Sequence, residues 1–195
     1  KAFPHNVKTK VFEVSQSKRF ADEKDFYLEA EKMIHGLPCN AYNFVLKGQR
    51  RIDRKKLKKT KLPNSPLLGR LKQGKDIVFN GKRYKAKDLT YMEQGKKVSF
   101  ILDTALNSKM RGFAKNSDLL VIESTFSATE EKLAREHKHL TVKHSATTAK
   151  NAKARKLALI HISDRYEKDF SEILKDAQKI FRDAFIPKDL DVVNI

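Results

Sequence analysis

The chain has 195 residues, and its 42 Lys+Arg against 24 Asp+Glu give a formal net charge of +18, which predicts long-range attraction to polyanions, nucleic acid first and anionic membrane second. The single cysteine, Cys39, excludes a disulfide scaffold or a Cys-rich zinc site and fits a reducing compartment. No apolar run approaches the roughly 20 residues of a membrane span and no signal peptide is visible, while compact apolar runs at 98–102, 119–122 and 157–160 set the chain apart from a disordered basic protein.

In chain order, residues 7–14 partly alternate apolar and polar and predict a strand. Residues 20–34 carry Phe20, Phe26, Tyr27, Ala30, Met33 and Ile34 at mostly helical spacing, ahead of Gly36 and Pro38, and predict a short amphipathic helix. Residues 47–61 hold nine basic side chains and one acidic, a block expected to be solvated or mobile. Pro63-Asn-Ser-Pro66 marks a loop. Residues 76–84 predict a hairpin around Asn80-Gly81, a pair suited to a type I′ turn.

The second half alternates. Strands are expected at 98–102, 119–122, 157–160 and 190–193, and helices at 104–114, 127–137, 141–153 and 169–185. Ser127 and Glu130 resemble a capping box for the second of those helices. The rhythm predicts an α/β layered domain.

Three of the strands each deliver one polar residue at the carboxyl end: Asp103, Glu123 and His161. In α/β proteins these ends gather at one edge, where ligands bind, and carboxylate with imidazole suits zinc or manganese. Each residue also has a plainer role open to it: Asp103 as a helix cap, His161 as a hydrogen-bonded structural residue. His137 and His139, with His144 following, read either as a chelating pair or as part of a basic patch, and the charge of the chain favours the patch.

The stretch from His139-Leu-Thr to Ala149-Lys-Asn-Ala-Lys-Ala-Arg-Lys-Leu-Ala-Leu-Ile-His161-Ile-Ser-Asp-Arg-Tyr166 resembles the C-terminal region of ribonuclease Z, the tRNA 3′-processing endonuclease of the metallo-β-lactamase superfamily. Four further pieces are similar to that family in the same order: Phe3-Pro-His5-Asn-Val, Pro63-Asn-Ser-Pro-Leu-Leu-Gly-Arg-Leu-Lys-Gln-Gly74, Phe100-Ile-Leu-Asp-Thr104 and Asp118-Leu-Leu-Val-Ile-Glu-Ser-Thr-Phe126. Together they cover most of the chain.

The resemblance implies the fold class α/β, as the C-terminal portion of a four-layer αββα sandwich with a basic insertion at about 40–62. It implies His5, Asp103 and His161 as metal ligands, with Asp103 bridging two zinc ions, manganese or another divalent metal being the alternative. His139 would act on the leaving oxygen, Ser163 and Arg165 would face the phosphate, and Glu123 would support the site from behind.

The expected activity is hydrolytic removal of the 3′ trailer of precursor tRNA, with the basic insertion on the tRNA backbone. The alternatives are a non-catalytic RNA-binding member or another metal-dependent phosphodiesterase of this fold. The family's His-x-His-x-Asp-His motif is not in this sequence, and Leu102, Ile122 and Leu140 stand where the family has Gly, His and Ser. Val11-Phe12 stands where it has Gly-Tyr. The upstream half is therefore expected from the same or another chain, with a homodimer, no membrane partner and a cytoplasmic location.

Overall fold

The computed structural model describes Val11 and residues 13–195, so His5 and most of the expected strand at 7–14 lie outside the described residues. Residues 20–34 are not a helix. They belong to an antiparallel hairpin of β1 (Lys18–Asp22) and β2 (Phe26–Lys32). The reason is the next strand, β3 (Asn40–Leu46), which sets Leu46, Phe44 and Tyr42 opposite Phe26, Leu28 and Ala30. Phe26 and Phe44 meet with ring centroids 5.3 Å apart. Alternate residues of β2 each meet a cross-strand neighbour on β3, which outweighs the helical spacing of the same residues.

Beyond β3 the chain leaves the main sheet and forms β4 (Gln49–Ile52), α1 (Arg54–Lys58), α2 (Leu67–Lys72), β5 (Ile77–Phe79), β6 (Lys82–Tyr84), α3 (Ala86–Leu89) and β7 (Thr90–Glu93). It returns as β8 (Lys96–Ile101), followed by α4 (Lys109–Phe113), β9 (Leu119–Glu123), α5 (Glu131–His137), α6 (Val142–Ala152), β10 (Lys156–Ile160), a 3-10 turn (Asp164–Tyr166), α7 (Ser171–Ile180) and β11 (Ala184–Phe185). The seven-stranded sheet has the order β1-β2-β3-β8-β9-β10-β11. It is antiparallel up to β8 and parallel from β8 to β11.

Alternation along the central strands sorts the two faces of the sheet. Ile101, Leu120, Ile122, Leu157 and Leu159 are fully buried in one cluster with Met110, Ala146, Ala149 and Ala177 from α4, α6 and α7. On the other face, the paired Tyr42 and Phe100 and the nearby Leu46 stay 38–40% exposed. A sheet with helices on one face and an apolar surface on the other is one αβ half of an αββα sandwich.

The basic block 47–61 is solvated but folded, contrary to a mobile segment. Its strand β4 pairs with β7, and Asp53 caps α1, its Oδ1 accepting the Lys55 and Lys56 backbone N–H groups at 3.0 Å each. The arm has its own apolar cluster of Leu62, Leu71, Ile77, Tyr84, Ala86 and Leu89. The Asn80-Gly81 hairpin forms as expected, with φ of 47° and 72°.

At the neck of the arm, Gly48 and Gly95 let the outgoing and returning backbones touch. A Cβ on Gly95 would lie 2.2 Å from the Leu46 carbonyl oxygen, and one on Gly48 2.8 Å from that of Glu93.

Three other expectations change in extent. The helix expected at 104–114 is only α4, and the one at 127–137 is only α5, because the Ser127–Glu130 contact closes a turn ahead of the helix. The helix expected at 169–185 ends at Ile180, which releases Ala184–Phe185 to pair with β10. Residues 190–193 form no strand; the sheet's last position is already held by β11.

Candidate metal centre

The carboxyl ends of the parallel strands bring Asp103, Glu123 and His161 to one edge. Asp103 follows β8, Glu123 ends β9, and His161 follows β10 with a left-handed φ of 54°. That conformation costs a residue other than glycine roughly 1–2 kcal/mol. His139 arrives from elsewhere, on the link between α5 and α6. That link is tied to the β9 exit loop: the Phe126 N–H donates to the Leu140 carbonyl at 3.1 Å and the Val142 N–H to the Phe126 carbonyl at 2.8 Å. The helix-ending Lys138, at φ 58°, and the N-cap Thr141 bound this short link.

Asp103, His139 and His161 each offer a ligand atom, and these atoms lie within 4.8 Å of one another. His161 Nε2 is 3.5 Å from Asp103 Oδ1, and the two imidazole rings are 5.3 Å apart by centroid. Glu123 lies beneath them, fully buried. Its Oε1 accepts the Thr104 N–H at 2.6 Å. Its Oε2 accepts the Leu140 N–H at 3.0 Å and the Thr125 hydroxyl at 2.7 Å.

His139 Nδ1 is 3.1 Å from both Glu123 oxygens, so Nδ1 carries a proton and donates it there. The Nε2 atom of His139 is thereby left for a ligand or a proton in transit. One carboxylate and two imidazoles, the latter oriented from behind, fit a divalent metal ion.

Cys39 is not part of that donor set. Its Sγ–H donates to the Asp103 carbonyl oxygen at 2.8 Å. Burial first, then the charges of Asp103 and Glu123, push its thiol pKa up, so it holds the Asp103 loop as a thiol.

Sequence reading missed His35. Its ring centroid is 4.9 Å from that of His139, and its Nδ1–H donates to the Lys138 carbonyl at 3.0 Å, which leaves Nε2 free. The adjacent Ile34 is pinned to the Asp103 loop, its carbonyl accepting the Ala105 N–H at 2.7 Å. The only signal was a histidine following Met33-Ile34, and the helical reading of 20–34 concealed it.

Arg165 is exposed beside the site. Its Nη1 pairs with Glu130 Oε1 at 3.0 Å and its guanidinium lies 5.4 Å from the Phe126 ring centroid. Burial works against the Glu130 carboxylate, but hydrogen bonds from Ser127 and the Arg165 charge outweigh it and hold its pKa below the usual range. Ser163 is half-buried, its N–H donating to the Thr125 carbonyl at 3.1 Å. A cavity of about 400 Å³ opens next to His139, lined by Ala105, Leu106, Glu131, Arg135 and His144. On the arm, a cleft of about 640 Å³ is lined by Arg51, Arg54, Lys58 and Lys72, with the exposed Tyr91 and one acid, Glu93.

This half-sandwich with a strand-end site has the metallo-β-lactamase fold. The metallo-beta-lactamase fold protein YhfI from Bacillus subtilis superposes on 93% of this chain and 53% of its own, with TM-score 0.57 and 18% identity. The short form of human tRNase Z superposes on 93% and 48%, with TM-score 0.54 and 18% identity. No protein-family model matches the chain.

Within that fold, the chain is similar in sequence to ribonuclease Z. It is 36% identical to the Ribonuclease Z of Streptococcus mutans serotype c and 33% identical to that of Streptococcus uberis, in each case over 98% of this chain. It spans 63% of the length of these curated relatives. No helix among the described residues is long and apolar enough to cross a membrane.

Proposed function

We propose that this chain belongs to a metal-dependent endoribonuclease that removes the 3′ trailer of precursor tRNA. The observation that carries the reading is the meeting of Asp103, His139 and His161 over the buried Glu123, in a chain with ribonuclease Z relatives. Asp103 and His161 would hold the metal, zinc or manganese, together with His5, which lies outside the described residues, and His35 borders the site next to His139. Bound there, a divalent ion supplies positive charge against the charge that develops on a phosphodiester under attack.

The chain's own residues do the rest. Glu123 keeps the His139 proton on Nδ1 and stabilises the imidazolium, so Nε2 can hand a proton to the leaving oxygen. Ser163 and Arg165 face the phosphate, and Arg165 reaches it by exchanging Glu130 for phosphate oxygens. The basic cleft of the arm tracks the RNA backbone, as the +18 charge favours. Cytoplasmic location and a homodimer complete the reading, with the upstream half, from the same or another chain, covering the open apolar sheet face.

The test is cleavage of a precursor tRNA by the full-length protein, with Asp103→Ala and His139→Ala as variants. Loss of cleavage in both, with RNA binding retained, is expected. Equal rates in parent and variants would overturn the assignment. RNA binding without turnover in the metal-loaded parent would leave the non-catalytic reading.

A further inference from the structure

We infer that Thr125 is a positioning residue that fixes the tautomer of His161 and ties that imidazole to the carboxylate that also orients His139. The argument is a count of protons. The Thr125 Oγ1 has two neighbours, Glu123 Oε2 at 2.7 Å and His161 Nδ1 at 2.9 Å, and only one hydrogen to give. Glu123 already accepts backbone N–H groups from Thr104 and Leu140, one on each oxygen. Both oxygens are thus placed as acceptors, and the Thr125 hydroxyl approaches Oε2 as a further donor. The Thr125 hydroxyl therefore donates to Glu123, and its oxygen accepts from His161 Nδ1–H.

The consequence falls on the other side of the ring. His161 presents a bare Nε2 lone pair toward Asp103, 3.5 Å away, as a metal ligand requires. Thr125 is buried, so water does not replace its hydroxyl without rearrangement. One carboxylate thus sets two imidazoles, His139 directly and His161 through one hydroxyl. The left-handed backbone at His161 and the Ser163 N–H bond to the Thr125 carbonyl hold the two loops in that register.

The experiment reads the tautomer by nitrogen NMR of histidine-labelled, metal-free, full-length protein, and metal affinity by chelator competition with zinc or manganese. In the parent, His161 is expected to carry its proton on Nδ1. The near-isosteric Thr125→Val removes the acceptor, and the Nδ1–H tautomer of His161 should lose its dominance while that of His139 persists. Metal affinity should fall about 10–100-fold. Thr125→Ser should restore both.

A parent whose His161 is protonated on Nε2 overturns the inference before any variant is made, and so does an unchanged tautomer in Thr125→Val. The affinity readout rests on the proposed function; the tautomer readout does not, so a protein that leaves precursor tRNA intact still tests Thr125.

Discussion

His139 Nδ1 stands 3.1 Å from each oxygen of the Glu123 carboxylate, which is fully buried at the end of β9. Glu123 also accepts two backbone N–H groups and a hydroxyl, so its environment consists of donors. Glu123→Gln would aim an amide N–H₂ at one or other of these donors. Breaking a buried charged network in this way costs about 3–5 kcal/mol. Urea denaturation of the full-length protein should show a loss of that order, with an unchanged slope, and cleavage should fall with it.

Gly95 tests the neck of the arm. The space for a side chain there is occupied by the Leu46 carbonyl at 2.2 Å, a backbone atom that cannot swing away. Gly95→Ala should therefore destabilise the protein by about 3 kcal/mol or more, as overpacking against a fixed group does. Gly81→Ala meets open space and has only its φ of 72° to contend with. It should cost about 1 kcal/mol. Thermal melts of the two variants side by side check the order.

His144 predicts an acid sensitivity. Its Nδ1 accepts the Thr141 N–H at 3.3 Å in the reciprocal cap of α6, and protonation would abolish that bond. Burial is the main reason its pKa lies below the ordinary 6.5; Glu131 opposes the shift, and Lys143 and Arg135 add to it. The unfolded chain thus takes up this proton first as the pH falls. The penalty is absent well above 6.5 and grows as pH drops from there toward the lower folded value. His144→Gln keeps the cap acceptor without the titration, so its stability should fall less than the parent's between neutral pH and pH 5, as denaturant titrations at several pH values would show.

Salt should report on the arm. If Arg51, Arg54, Lys58 and Lys72 each neutralise one phosphate, removing all four charges should flatten the log–log salt dependence of RNA binding by about 3–4. Filter binding between low and moderate salt measures it. An unchanged slope would place the RNA backbone elsewhere.

Strands β8, β9 and β10 were legible because each is largely an apolar run followed by a polar residue, whereas the two-residue β11 was hidden inside an expected helix. Asp103, Glu123 and His161 therefore fell into place from spacing. The Asn80-Gly81 hairpin was legible for a similar reason, since its backbone angles are a property of the pair itself. β1 and β2 were not, because β1 is covered by β2 and β2 by β3, and a pattern of Phe, Tyr and Ala does not say which neighbour it will meet. His35 was lost with them. The basic block looked structureless because its own residues bury nothing in α1; it is ordered by Asp53 and by pairing with β7, some forty residues away.

The arm departs from Leu46 and comes home at Lys96, and these two residues are direct partners in the antiparallel pairing of β3 with β8. Topologically, everything between them is a detour on a hairpin that is already complete. A tight turn spliced from Leu46 to Lys96 would leave the strand order, the strand-end loops and the Glu123 network as they are. The proposed RNA contact on the arm and the proposed metal centre are in this way wired in parallel, so a lineage can lengthen, recharge or discard the arm without retuning the cluster of Asp103, His139 and His161.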